Sequence, residues 1–417
     1  MNGRRPRLAF VSPVFLFPND AGGKIRSTNI LRGLKGGRFD LTLLSPASDV
    51  QATRWRRELE SVCDEFVPWR PSTPRPRWRR ATDMLSTLPV NVAADLSDAG
   101  SMAVRQVCER DDVDIVVFDF VHAAVLAPPR LAKPTVCFTH NVEAEIFQRH
   151  AGQARDPLRR WLWSSQHRKM ERYEAQALKR FSRVIAVSER DARLFRQRYG
   201  VAAAEAIPTG VDLEFFSWTE PPNVDSDHPP TVVFTGSMDW AANVDGVRFF
   251  LEQIWPKVLV RAPEARFVVV GRNPPASLLA LAQQTRQVEF TGFVDDVRPH
   301  VRGAHVFVIP LLVGGGTRIK AFEAMAMGCP VVSTSIGIEG LGVLPGEHFV
   351  LRDQPSAFAE AIVGLFAEAP MRARLSRAAR ALVDKRFGHR VAARIFETAC
   401  YSAWTESSST QAVGEKA

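Results

Sequence analysis

One segment constrains the fold of this chain more than any other: residues 306–341, VFVIPLLVGGGTRIKAFEAMAMGCPVVSTSIGIEGL. Residues 306–312 are apolar without alternation, the pattern of a strand buried on both faces. Gly314, Gly315 and Gly316 follow and leave a loop without Cβ atoms, where backbone N–H groups can approach an anion closely. Thr317 is placed to cap a helix over the next residues, and that helix points the positive end of its dipole at whatever fills the loop. Arg318 and Lys320 bring cations to the same place, and Glu323 brings a carboxylate. Amides and cations suit a diphosphate, and the carboxylate suits ribose hydroxyls, so the combination points to a sugar nucleotide. The competing explanation is a tight strand-to-helix turn whose cations are merely solvated. The arrival of cations and carboxylate in one frame weighs against it.

The rest of the chain repeats the alternation of strand and helix. Residues 8–15, 41–46, 114–119, 135–141 and 183–188 read as buried strands, with helices over 25–35 and 156–180. A second set of strands is expected at 231–236, 266–271, 288–292, 306–312, 330–334 and 349–351, followed by two helical segments running to Trp404. This is an α/β pattern of parallel, doubly wound sheets. Residues 205–230, with Pro208, Pro221, Pro222, Pro229 and Pro230, read as the connection between two halves. A chain of 417 residues, 46% apolar, is long enough for two complete cores.

Composition excludes several classes. No run of about 18 apolar residues is present, so no membrane-spanning helix is expected. The apolar stretch near the N-terminus soon meets Pro13 and reads as a first strand rather than a signal peptide. Cys63, Cys108, Cys137, Cys329 and Cys400 are scattered, odd in number and without CxxC spacing. They form no recognisable zinc site and point to a reducing, cytoplasmic setting. The net charge of +9 lies wholly in the first half, the second being close to neutral. No zinc finger, RNA-recognition signature or basic zipper accompanies that charge, so nucleic acid is not the expected partner. An anionic membrane surface is, through two basic-aromatic clusters. One runs from Trp69 and Arg70 through Arg75, Arg77, Trp78, Arg79 and Arg80, with Arg54, Arg56 and Arg57 nearby; the other is Arg159, Arg160, Trp161 and Trp163.

Residues 306–341 resemble the donor-binding motif of family 4 glycosyltransferases, and FTGSMDWAANVDGVRFF, RFVVVGRNP and VEFTGFVDDVRPHV lie in the order which that family shows. The resemblance implies the GT-B architecture, two Rossmann-like domains facing across a deep cleft. It places an N-terminal acceptor-side domain at 1–205 and a nucleotide-sugar domain at 206–385. A last helix, 386–405, crosses back to the first domain, and a disordered tail follows at 406–417. The family usually carries two glutamates with seven residues between them; Glu323 matches the second, while Gly315, eight positions earlier, stands where the first would be. The chain is similar to a branch with GGGTR-K in that place.

The same resemblance assigns further sites. Asp20, Gly22 and Gly23 follow the first strand and form an acceptor and diphosphate loop. His140, in Thr139-His140-Asn141 at the end of a strand, is expected to order the transferred sugar. The alternative for His140 is a hydrogen-bonded structural histidine. Glu143 and Glu145 start the next helix, where either can act as an electrostatic cap. Gly236 and Ser237 end the first strand of the second half, and Arg272 offers a phosphate or base contact. Phe293 and Val294 resemble the segment whose backbone reads the base, or else are strand-end core residues. Asp239 and Trp240 stand where relatives bring cations to the diphosphate, which leaves that role to Arg318 and Lys320.

The expected activity is therefore a retaining transfer of a sugar from a nucleoside diphosphate sugar to a glycan or lipid-linked hydroxyl, with no metal and no cofactor beyond the donor. Asp295-Asp296 is the nearest approach to a metal-binding carboxylate pair, and it reads as the start of a helix. A nucleotide-sugar epimerase and a non-catalytic nucleotide-sugar-binding protein are the alternatives. A dinucleotide dehydrogenase fits less well, because no G-x-G-x-x-G follows the first strand.

Overall fold

The computed structural model describes residues 4–72, 86–154, 156–208, 210–222, 229–313 and 318–414. These form two compact units: the first runs to Gly210 and takes in the chain again from His389, and the second runs from Val211 to Gly388. The basic segment around Arg75, Arg77, Arg79 and Arg80, and the loop Gly314, Gly315, Gly316 and Thr317, lie outside the described residues.

The first unit holds seven parallel strands: β1 (Arg7–Val11), β2 (Asp40–Pro46), β3 (Glu65–Trp69), β4 (Ile115–Asp119), β5 (Thr135–Phe138), β6 (Arg183–Ala186) and β7 (Ala204–Ala206). Their order is β3-β2-β1-β4-β5-β6-β7, so the chain winds outward in both directions from a switch point between β1 and β4. Leu8 and Phe10 enter one core layer and Ala9 and Val11 the other, which explains why β1 is apolar without alternation. The second unit repeats the arrangement with β8 (Thr231–Thr235), β9 (Arg266–Val270), β10 (Val288–Gly292), β11 (Val306–Ile309), β12 (Val331–Ser333) and β13 (Val350–Leu351), in the order β10-β9-β8-β11-β12-β13. Val306 and Val308 face one layer there, and Phe307 and Ile309 the other.

Several boundaries differ from those expected. β1 stops at Val11 rather than residue 15, and β11 stops at Ile309 rather than residue 312. Pro13 and Pro310 lack the N–H that would continue each ladder. β3 and β7 were not anticipated. Both are edge strands; β3 contains Pro68, which only an edge tolerates, and β7 has three residues.

After residue 354 the chain forms three helices, Pro355–Ala367, Ala369–Arg386 and His389–Gly414, rather than two. The last buries Ala392, Ala393, Phe396, Ala399, Cys400 and Ala403 in the core of the first unit. It continues to Gly414, so the backbone is helical through most of the stretch expected to be a disordered tail. Glu406 pairs with Arg183 of β6 at 3.0 Å and ties down the turn where that tail was placed. No proline interrupts the helix beyond it. Among the described residues, no helix is long and apolar enough to cross a membrane.

Candidate functional site

In the second unit the carboxyl ends of β8, β9 and β10 are laced together by backbone bonds. Gly236 N–H donates to Val270 O at 2.9 Å, Met238 N–H to Arg272 O at 3.0 Å, and Gly271 N–H to Gly292 O at 3.1 Å. Asp239 completes the rim, accepting from Ser237 Oγ at 2.9 Å and from Arg272 Nε and Asn273 Nδ2 at 3.0 Å each. Arg272 and Ser237 are thus brought together, but through Asp239.

Asn243, in the first turn of the helix Ala241–Phe249, links this rim to the helix Ile319–Met327. Its Nδ2 donates to Ser237 O at 2.7 Å, and its Oδ1 accepts from Lys320 Nζ at 2.9 Å. The Lys320 ammonium also lies 4.1 Å over the Phe234 ring. Gly236 is required beside it, because a Cβ there would come within 2.7 Å of both Lys320 Nζ and Asn243 Nδ2. Glu323 follows on the next turn of the same helix. Burial drives Lys320 down to about 7 against the pull of Glu323. Burial likewise raises Glu323 to about 7 against the pull of Lys320. The half-buried Lys320 amine and Glu323 carboxyl are thus both drawn towards neutrality, which makes this rim a candidate site.

Arg318 has φ +41° and precedes the helix, which begins at Ile319. Its guanidinium donates to Glu339 O at 2.6 Å and lies 3.4 Å from the Glu339 carboxylate. Arg318 therefore holds the loop after the short turn Ile336–Ile338, a contact the sequence did not signal. Phe293 and Val294 part company: Phe293 is exposed, whereas Val294 packs against the core. Asp296 pairs with Arg298 at 2.7 Å and accepts the Arg298 N–H at 2.9 Å, at the start of the helix Arg298–Arg302.

In the first unit a polar cluster sits at the β1/β4 switch point. Asp119, the last residue of β4, is fully buried. It accepts from Ser27 Oγ at 2.9 Å, from Ser12 Oγ at 3.1 Å, and stands 2.7 Å from His140 Nε2. His140 is only 2% exposed, and burial lowers its pKa despite Asp119. Phe120 stacks on its ring at 4.0 Å from a left-handed backbone, φ +68°. Gly23 accommodates that ring, since a Cβ there would come 2.4 Å from Phe120 Cζ. The helix Gly22–Leu34 supplies Ser27 and also Arg26, which donates to Thr139 O at 2.7 Å and lies 4.3 Å over Phe138. Asp20, exposed at the loop, pairs with Lys24 at 3.0 Å. The sequence singled out His140 and the glycines but not Asp119 or Ser12, whose only signal is a polar residue at a strand end, nor Ser27, a polar residue within a helix.

A second histidine, His122, lies between Asp95 and Glu143 at 3.5 Å each. Burial alone would lower its pKa, but the two carboxylates outweigh it and raise it to about 10. Glu143 is thus paired with His122, and the first-turn amides of the helix Glu143–Gln153 are capped by Glu174 instead. Glu174 accepts from Glu143 N–H at 2.9 Å and Ala144 N–H at 3.3 Å. Glu145 pairs with Arg149 and Arg190. At the start of the helix Pro157–Leu178, Leu158 and Trp161 are exposed, while Trp163 stacks on His150 at 4.9 Å and is not free for an interface.

Residues 22–215 match the family described as Glycosyltransferase Family 4, and residues 229–368 match Glycosyl transferases group 1. A phosphatidyl-myo-inositol mannosyltransferase of Mycolicibacterium smegmatis is 30% identical over 45% of this chain and 49% of its own length. The enzyme of that description from Mycobacterium leprae is 30% identical over 52% of this chain and 59% of its own. The chain spans about half the length of these curated relatives. Among solved structures, the sucrose-phosphate synthase of Thermosynechococcus elongatus is similar with a TM-score of 0.72 and 16% identity, over 96% of this chain and 100% of that one. HepE of Anabaena, solved in complex with UDP, is similar with a TM-score of 0.65 and 15% identity, over 95% and 100%. The fold is that of the GT-B glycosyltransferases, built from two Rossmann-like domains.

Proposed function

We propose that the protein is a retaining glycosyltransferase, moving a sugar from a nucleoside diphosphate sugar to a hydroxyl of a glycan or lipid-linked acceptor in polysaccharide or glycoconjugate assembly. The observation that carries this is the Lys320–Glu323 pair at the carboxyl end of the second sheet, beside Gly236 and at the β8/β11 switch point. Family matches to both halves of the chain support it, as do relatives described as mannosyltransferases and a structural neighbour solved with UDP.

The chemistry follows from the charge that develops. Departure of the sugar leaves negative charge on the diphosphate, and a preorganised cation in a dry site stabilises that charge more than water does. Lys320 is such a cation, oriented by Asn243 and the Phe234 face. An anion beside Nζ offsets the cost of burial and keeps the ammonium charged. Glu323 accepts from the ribose hydroxyls. Arg318 contributes by holding the Glu339 loop. Retention of configuration is carried over from the family resemblance, and no cofactor takes part. For the acceptor side, exposed Leu158 and Trp161 beside Arg159 and Arg160 support a peripheral contact with anionic lipid headgroups.

The test is a thermal-shift panel of UDP, GDP and ADP with their common sugar conjugates, run on the parent and on Glu323→Ala. One nucleotide is expected to stabilise the parent, and the variant to lose about 1–3 kcal/mol of that binding, the cost of leaving polar partners unpaired. Stabilisation by none of them would overturn the donor assignment. Stabilisation without transfer would leave a binding protein, and an isomeric nucleotide sugar formed without acceptor would identify an epimerase.

A further inference from the structure

His140 presents a buried polar atom that the fold itself does not satisfy. Its Nε2 lies 2.7 Å from Asp119 Oδ1, while its Nδ1 has no hydrogen-bond partner among the described residues. Both oxygens of Asp119 already accept hydroxyl protons, from Ser27 at 2.9 Å and Ser12 at 3.1 Å. A carboxylate surrounded by donors is acceptor-only, so the imidazole nitrogen facing it carries the proton. Burial also disfavours the doubly protonated ring. The second nitrogen is therefore left as a lone pair, 2% exposed residue and all, and such an atom costs free energy until something donates to it.

We infer that Asp119, braced by Ser12 and Ser27, is a positioning residue that locks His140 in the Nε2–H tautomer, so that Nδ1 serves as a hydrogen-bond acceptor for a substrate hydroxyl. The inference rests on the transferase reading for the identity of that hydroxyl, a sugar alcohol, but not for the tautomer. Phe120 fits the same scheme. Its ring stacks on the imidazole at 4.0 Å while its backbone holds φ +68°, a region that a bulky residue enters only at a cost. The stacked ring covers one face of the imidazole and leaves its edge, where the Nδ1 lone pair lies, to the substrate. Gly23, on the loop after β1, has no Cβ to strike that ring. Four elements thus converge on one imidazole and its carboxylate: the ends of β1, β4 and β5 and the helix Gly22–Leu34.

Asp119→Asn separates positioning from structure, because in aspartate–histidine pairs an amide keeps the geometry but inverts the tautomer. Nitrogen-15 spectra of the histidine-labelled full chain read the tautomer directly. The parent is expected to show a protonated Nε2 and an unprotonated Nδ1 at His140, and Asp119→Asn the reverse. With whichever of UDP-, GDP- or ADP-glucose and -mannose is turned over, kcat should fall at least about tenfold, the cost of one lost hydrogen bond, with KM for the donor little changed. Should Asp119→Asn not fold, Ser27→Ala removes one brace and is expected to give a mixture of tautomers with a smaller loss. An Nδ1–H tautomer in the parent, or unaltered kcat in a variant with inverted tautomer, would overturn the inference. If no nucleotide sugar is turned over, the transferase reading fails and takes the substrate hydroxyl with it, while the spectra still decide whether Asp119 sets the tautomer.

Discussion

An ammonium held against a phenyl ring and one amide oxygen gives up more hydration than those contacts return, and Lys320 is drawn down to about 7 as a result. In the free protein Lys320 loses its proton as pH rises through that value, whereas a bound diphosphate favours keeping it. Affinity for the nucleoside diphosphate is therefore expected to weaken as pH rises beyond about 7, and Lys320→Arg, whose cation stays charged, to flatten the profile. Titration calorimetry across that range checks both; a flat profile in the parent would remove Lys320 from the diphosphate. Gly236 belongs to the same few ångströms. Gly236→Ala puts a Cβ 2.7 Å from Lys320 Nζ and Asn243 Nδ2. It is expected to lower nucleotide affinity about tenfold, the cost of one displaced hydrogen bond, with little change in melting temperature. Equal affinity would show that the Lys320 head is free to move aside.

The helix Glu143–Gln153 starts without a side-chain cap of its own and takes one from the next helix, where Glu174 is fully buried and raised to about 8 by that burial. A carboxyl whose pKa is raised by folding holds its proton more tightly in the native state. Its contribution to stability is full below the unfolded value of 4.5 and is lost as pH rises through about 8. Glu174→Gln keeps an acceptor for the amides but removes the ionisation. The melting temperature of the variant is expected to fall less than that of the parent across this interval, and parallel profiles would show that Glu174 does not control it. His122, with its pKa raised to about 10, contributes stability in full below its unfolded value of 6.5 and loses it progressively as pH rises from there through about 10.

Each unit of the molecule has its own sheet and its own two core layers, so the two should respond separately to damage. The C-terminal helix is the element that makes sequence order and structural membership disagree, since it follows the second unit in the chain but belongs to the first. Phe396 is fully buried there and meets the Phe138 ring edge-on at 5.1 Å. Phe396→Ala is expected to cost about 3–5 kcal/mol, with hydrogen exchange accelerated in β1, β4, β5 and the helix Gly22–Leu34 and unchanged in β8 to β12. Loss of protection in both sets would mean that the two units unfold as one.

The amino-acid sequence by itself determined the α/β class, the doubly wound strands of both sheets and the helix that carries Lys320 and Glu323. Strands buried on both faces must be apolar throughout, and a strand ending in glycine before a helix is legible as a local pattern. It did not determine the edge strands β3 and β7, which are short and half-solvated, nor the helical backbone beyond residue 406, which depends on a long-range anchor. Only the tertiary structure decided what the polar side chains do. Arg318 is held by Glu339, twenty-one residues on in sequence; Lys320 meets Asn243 at a separation of seventy-seven; and Asp119 gathers Ser12, Ser27 and His140 from three other segments. Hydrogen bonds act over about 3 Å, so residues this far apart in the chain acquire partners only once the sheets have brought the ends of their strands together.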